Sequence, residues 1–224
     1  MGSAGPPLLV GVDEAGRGAW IGPLVVGAVA VRPEEVERLR EAGARDSKLL
    51  TPLKREEVYA RLGTLARLGS IEIPPGEIDR HVRQGKLNEL EARAFGEVVR
   101  PFAPARVHVD ACDTDPRRFG RRVAHHAGRG LTVVARHHAD RDDPVVGAAS
   151  IVAKVRRDRA IRELAERLGA ELGSGYPSDR RTVDFVRGLL RPGAVPPDWL
   201  RLSWRTTQRV ITARPARSLD RFGP

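Results

Sequence analysis

The sequence has little of what many folds use as staples, stacking platforms or membrane anchors. It holds one cysteine, Cys112, in 224 residues. No intrachain disulfide and no Cys-rich zinc site can form, and both exclusions suit a reducing cytoplasm. Aromatic residues make up only 4% of the chain, which argues against a single-strand binder built on stacked bases. No apolar run approaches the ~20 residues that a membrane helix needs. Met1 to Pro7 is small, Gly/Pro-rich and uncharged. It lacks the basic region and apolar core of a signal peptide and reads as a loose leader.

Positive charge is what the chain has in excess: 39 Lys and Arg against 29 Asp and Glu, a formal net charge of +10 and a pI near 10.9. Such a balance suits a polyanionic partner, most often nucleic acid. An arginine-rich surface without such a partner is the other reading, and charge alone does not separate the two. The length fits one domain, or one domain with a short appendage, and is enough to bury a core without staples.

Leu8 to Asp13 is a short apolar run that ends in acid, and Pro23 to Val31 is β-rich; both read as strands. Glu34 to Glu41 has a helical pattern. Thr51-Pro52 opens a helix that runs from Lys54 to Leu68, with Thr as N-cap and Pro at the first position. Ile71 to Ile73 is a short candidate strand. Leu87 to Phe102 reads as a helix with Glu89, Glu91 and Arg93 on its polar side. Arg106 to Asp110 (RVHVD) and Leu131 to Arg136 read as strands, with a basic helix at Pro116 to His126 between them. Pro144 to Leu168 is the longest helix, and Ser178-Asp179 caps another that runs to about Leu190. From Pro192 onward the chain is Pro- and Arg-rich. The pattern predicts an α/β fold, a mixed sheet flanked by helices.

Asp13, Glu14, Asp110 and Asp140 are far apart in sequence, yet each lies in or just after a predicted strand. Neighbouring strands lie ~4.8 Å apart, so such ends can bring carboxylates together. Clustered carboxylates repel unless a cation neutralises them, and an all-oxygen set favours a hard ion such as Mg²⁺ or Mn²⁺. Acids at strand ends are also ordinary solvated turn residues, and on spacing alone Asp142 or Asp143 could replace Asp140. Asp13 and Glu14 raise a geometric problem, because successive strand residues point to opposite faces. Either the strand ends at Asp13, or Glu14 reaches the site differently, by its main-chain carbonyl or toward another ion.

The stretch GVDEAGRGAWIGPLVVGAV, Gly11 to Val29, resembles the signature opening of ribonuclease HII. Four further blocks follow in the family's order: DSKLL (Asp46 to Leu50), VHVDACD (Val107 to Asp113), HHADRDDPVVGAASIVAKVRRDR (His137 to Arg159) and GSGYPSD (Gly173 to Asp179). LNELEA (Leu87 to Ala92) and SW-x-T (Ser203 to Thr206) resemble the archaeal and eukaryotic branch. The likeness spans roughly Leu8 to Thr206, and its blocks in register are far more specific than any one motif.

The resemblance implies a ribonuclease H-like catalytic domain over residues 8–191, followed by a C-terminal helical extension and basic tail over 192–224. It places four catalytic, metal-binding carboxylates at Asp13, Glu14, Asp110 and Asp140, with two divalent ions, Mg²⁺ or Mn²⁺. It implies cleavage 5′ of a ribonucleotide, in RNA–DNA hybrids or in duplex DNA holding single ribonucleotides, leaving a 3′-hydroxyl and a 5′-phosphate. Ribonucleotide and primer removal by a monomer would follow. Gly16, Arg17 and Gly18 would read the 2′-hydroxyl, which alone marks RNA at one position, and Tyr176 would stack on the next sugar. Phosphate contacts are expected from Lys48 and from Ser150, Lys154 and Arg157, which share one helical face.

Two positions depart from the family pattern. Ala19 stands where proline is common, and His138 where lysine is common; the histidine would make activity more pH-dependent. Cys112 reads as a small buried residue. Ala216 to Gly223 faintly resembles a sliding-clamp-binding peptide, with Leu219 and Phe222 as anchors, although a disordered basic tail is the favoured reading.

Overall fold

The computed structural model describes residues 7–44, 50–190, 195–204 and 207–209. Its strands are β1 (Leu9–Ala15), β2 (Leu24–Val31), β3 (Arg67–Ile73), β4 (Arg106–Asp110) and β5 (Thr132–Arg136). Its helices are α1 (Val36–Glu41), α2 (Pro52–Leu65), α3 (Pro75–Arg83), α4 (Leu87–Val99), α5 (Pro116–Ala127), α6 (Ala139–Asp142), α7 (Pro144–Leu168) and α8 (Arg180–Leu189). The five strands form one mixed sheet in the order β3-β2-β1-β4-β5. β1 to β3 form an antiparallel meander, while β4 and β5 run parallel to β1.

Every residue of β2 is buried, as a strand covered on both faces requires. On one face Val10, Val12, Val26 and Ala28 pack with Phe95 and Val98 of α4 and Phe119 and Val123 of α5. Phe95 and Phe119 meet edge to face, 5.2 Å between centroids at 81°, a geometry worth roughly 1 kcal/mol beyond burial. On the other face Val29 and Val31 meet α1, α2 and α7. A Cβ on Gly11 would sit 2.2 Å from Val145 O, and one on Gly27 2.5 Å from Ala149 O. The missing side chains let α7 lie directly on the sheet backbone, which fixes where its residues stand over β1.

The expected elements form, with differences in their bounds and with two further helices, α3 and the single turn α6. The helix opened by Thr51, whose hydroxyl accepts from Lys54 N at 3.3 Å, ends at Leu65 rather than Leu68. Arg67 to Ser70 instead begin β3, an edge strand whose half-exposed, mixed residues imitate a continuing helix face. Helix α3, which opens on Pro74-Pro75, was not expected. Glu91 lies off the polar side of α4 and is completely buried. A two-residue step turns ~200° around a helix, so Glu89 and Glu91 cannot share a face.

A third apolar cluster lies apart from the sheet. Trp20 and Ile21 pack there with Ile161 and Leu164 of α7, Leu172, Val186 of α8, and Leu200. Leu200, from the segment expected as an extension, forms a bridge with Ile21. No helix among the described residues is long and apolar enough to cross a membrane.

Candidate active site

β1 and β4 run parallel with Val12 level with Val109, so the next residue on each, Asp13 and Asp110, stand side by side. Asp140 joins them from α6, the single turn after β5. One oxygen from each of the three lies within 4.8 Å of the others. Asp110 Oδ1 accepts from Ala139 N at 3.3 Å, tying the start of α6 to the end of β4. Asp142 is exposed, and Asp143 is the N-cap of α7, accepting from Val145 N and pairing with His108 at 2.6 Å. Of the three acids that spacing left open, only Asp140 enters the cluster.

The cluster holds its charge at a cost. Burial raises the Asp13 carboxyl to about 6, against the pull of a Ser150 hydrogen bond, and Asp110 pushes it the same way. Burial and then Asp140 raise Asp110. Three crowded carboxyls, two on adjacent strands and one on the turn beside them, offering only oxygen, are the donor set for a hard divalent cation. The residues present therefore fit such an ion. Lys154 approaches from α7, donating to Ser150 Oγ at 3.0 Å, and draws Asp13 downward.

β1 does not stop at Asp13 but continues through Glu14 to Ala15. Glu14 therefore starts on the opposite face, toward α4. Its carboxyl is held well above the usual range by burial, then by Asp13 and Glu91. It lies outside the three-acid group yet feels Asp13 and Asp110.

Immediately beyond, Gly16 takes a φ of +92°, a conformation that disfavours any side chain. Arg17 turns back to α4, where Glu91 accepts its Nε at 2.8 Å and Asn88 accepts its Nη2 at 2.8 Å. Cys112 donates to the same Glu91 at 3.1 Å, and burial pushes its thiol up. Gly18 is exposed, with open space where a Cβ would stand. Tyr176 is half-buried, its ring 4.5 Å from the Arg157 guanidinium.

Ser150 and Lys154 stand beside the carboxylates. Arg157 does not join them on a phosphate-facing surface. It is 1% exposed and donates to Ser174 O and Ile21 O; at position i+7 it has passed the sheet edge and entered the third cluster. Lys48, Leu219 and Phe222 lie outside the described residues. Sequence reasoning missed Glu91, Asn88 and Arg201, whose buried guanidinium binds carbonyls of the glycine turn. The LNELEA block contains two of them; Arg201 precedes SW-x-T with nothing local to mark it.

The family model described as Ribonuclease HII matches residues 10–207. A ribonuclease HII of Cenarchaeum symbiosum is 46% identical over 204 residues, covering 91% of this chain and 98% of the relative. The crystal structure of the ribonuclease H2 from Pyrococcus horikoshii OT3 matches with a TM-score of 0.83 at 39% identity, over 91% of this chain and 97% of that one. The PCNA:RNase HII complex from Archaeoglobus fulgidus contains a chain similar at TM-score 0.82 and 36% identity, over 92% and 98%.

Proposed function

The chain belongs to the ribonuclease HII family, and from that premise we propose that it cuts a duplex on the 5′ side of a ribonucleotide, in RNA–DNA hybrids and at single ribonucleotides in DNA. Membership makes it a nuclease, a hydrolase of phosphodiesters. The observation that carries the finer reading is one of adjacency. The same strand delivers Asp13 to a three-carboxylate cluster and, two residues after Glu14, enters the Gly16–Gly18 turn. A turn that would read a sugar and a carboxylate cluster that would hold metal beside its phosphate thus share one rigid support.

Asp13, Asp110 and Asp140 would hold the metal, with Glu14 serving a second ion from beside the cluster. Two divalent ions would supply charge to make water nucleophilic near neutrality and to balance the leaving 3′-oxygen, giving 3′-hydroxyl and 5′-phosphate ends. The chain's own part is placement. The exposed backbone at Gly18 lets a ribose approach without a Cβ in the way, and its 2′-hydroxyl would meet main-chain groups there. The Tyr176 ring, backed by Arg157, offers a flat face for the neighbouring sugar. Lys154 adds positive charge beside the phosphate, with Lys48 assigned the same role. The relative in the Archaeoglobus complex is named with PCNA, and Leu219 and Phe222 would make a similar contact in this chain; with Asp13, Asp110 and Asp140 on one chain, a monomer would suffice for the cut.

The test is a labelled DNA duplex with one ribonucleotide, incubated with Mg²⁺, Mn²⁺ or EDTA. A single metal-dependent cut 5′ of the ribonucleotide is expected. The reading fails if the duplex stays intact in both metals or is cut elsewhere.

A further inference from the structure

Arg201 is a buried cation with an unusual set of partners. It is fully enclosed, and among the described residues every hydrogen bond its side chain makes goes to a main-chain carbonyl. Its Nε and Nη2 donate to Gly22 O at 3.0 and 2.9 Å. Its Nη1 donates to Gly16 O at 2.6 Å and to Arg17 O at 3.1 Å. One planar fork thus fixes both ends of the loop that runs from Gly16 to Gly22. Burial, with Arg157 next, draws the guanidinium down to about 9. An apolar side chain of similar volume would fill the space without the desolvation cost of a cation. What it could not do is hold three carbonyls in one plane.

The segment that carries Arg201 is itself pinned. Arg201 N donates to Trp20 O at 2.8 Å, and Gly22 N to Trp199 O at 2.9 Å. From α3, Asp79 accepts from Leu202 N at 2.7 Å, from Ser203 N at 3.0 Å and from Ser203 Oγ. The same loop reaches the tyrosine segment: Trp20 N and Ile21 N donate to Gly175 O at 2.8 and 3.2 Å. Arg157 closes the ring, holding Ser174 O and Ile21 O under the Tyr176 ring, with its Nε against Gly16.

We infer that Arg201 is a positioning residue for sugar recognition, fixing the Gly16–Gly18 turn and, through residues 20–22, its spacing from Tyr176. This makes the segment around Arg201 part of the specificity apparatus. The inference rests on the functional reading above, in which that turn meets the 2′-hydroxyl.

The test measures Kd for two duplexes of identical sequence, one all DNA and one with a single ribonucleotide, with Ca²⁺ in place of Mg²⁺. Their ratio does not depend on the fraction of folded protein. Arg201→Lys, which keeps the charge and loses the fork, should cut the preference for the ribonucleotide about tenfold, the size of one or two lost buried hydrogen bonds, with Kd for all-DNA duplex within about twofold. Should that variant fail to fold, Asp79→Asn leaves Arg201 in place, loosens only the segment that presents it, and should lower the same ratio by a smaller factor. A wild type that prefers the ribonucleotide, with an unchanged ratio in the variant that folds, overturns this inference alone. A wild type that binds both duplexes equally overturns the functional reading and this inference with it.

Discussion

The carboxylate cluster and the corner around Gly16–Gly22 are neighbours on one strand, but they are built on opposite principles. The cluster gathers like charges: Asp13, Asp110 and Asp140 lie within 4.8 Å of one another, and burial with mutual repulsion raises Asp13 to about 6. The corner sets two buried guanidiniums among main-chain carbonyls. One region is left in need of a cation; in the other, main-chain carbonyls accept from Nε, Nη1 and Nη2 of Arg201 and from both Nη atoms of Arg157, which leaves Nε as the one unpaired buried donor of Arg157 among the described residues. Frustration suits a metal site, because the binding energy of an ion is larger where the protein has not balanced the charge. Fixed carbonyls suit the reading role proposed for that turn, because a turn that would distinguish one hydroxyl has to be rigid before the substrate arrives.

The largest expected effect breaks the first half of that contrast. Asp13→Asn should lower kcat on a ribonucleotide-containing duplex by roughly a thousandfold or more, on the scale of losing an electrostatic stabiliser. Its Kd for duplex should stay within a few-fold, because phosphate contacts elsewhere dominate affinity. Single-turnover cleavage and a binding isotherm check both parts. A variant that cuts at a tenth of the wild-type rate would remove Asp13 from the centre of the site.

Gly16→Ala attacks the other half. At a φ of +92° with Arg157 Nε 2.3 Å from the new Cβ, the turn must shift. Misplacement by about 1 Å is expected to cost on the order of a hundredfold in kcat/KM, with metal affinity, read by isothermal titration, unchanged. Tyr176→Ala should cost about tenfold in kcat/KM, in the range of one lost stacking contact. Tyr176→Phe keeps the ring over Arg157 and should cost far less, so equal losses in the two variants would show that the ring is not what matters.

The smallest effect separates the regions by stability. Asp13 has its pKa raised from 3.8 to about 6 in the folded state, so without metal the fold holds a proton that the unfolded chain releases. Its contribution is present at low pH and is lost as pH rises through about 6. In EDTA, the thermal midpoint should fall by a few degrees between about pH 5 and pH 7, and Mg²⁺ should restore more at the higher pH. Asp13→Asn should flatten that slope, whereas Arg201→Lys should leave it in place. Calorimetry at matched ionic strength decides.

Legibility in the sequence followed the range of the interactions. β1, β2, β4, β5 and α7 were readable because each announces itself within its own residues: apolar runs, a capping acid, a proline at the first turn. The edge strand β3 was read short because its Arg67-Leu68-Gly69-Ser70 start is half exposed and carries no alternation. Asp140 was separable from Asp142 and Asp143 by the family's motif, not by spacing. Geometry adds a reason: α6 turns Asp140 inward while Asp143 is spent as the cap of α7. Glu91 was misplaced on a polar face because a carboxylate in a helix looks solvated until its partner, Arg17, is known to be 2.8 Å away.

By itself, then, the sequence determined the net charge and most of the elements, since these depend on side-chain chemistry and on periodicities of a few residues, while the choice among the acids rested on the family's motif. Only the tertiary structure decided how those acids and arginines are used. Asp13 meets Asp110 because β1 and β4 align in parallel register. Arg157 leaves the face shared by Ser150 and Lys154 because α7 runs on to the third apolar cluster, where Ile161 and Leu164 pack. Arg201 reaches Gly16 across 185 residues of chain. A long-range hydrogen bond leaves no mark on the residues beside it, so no local pattern could have announced it.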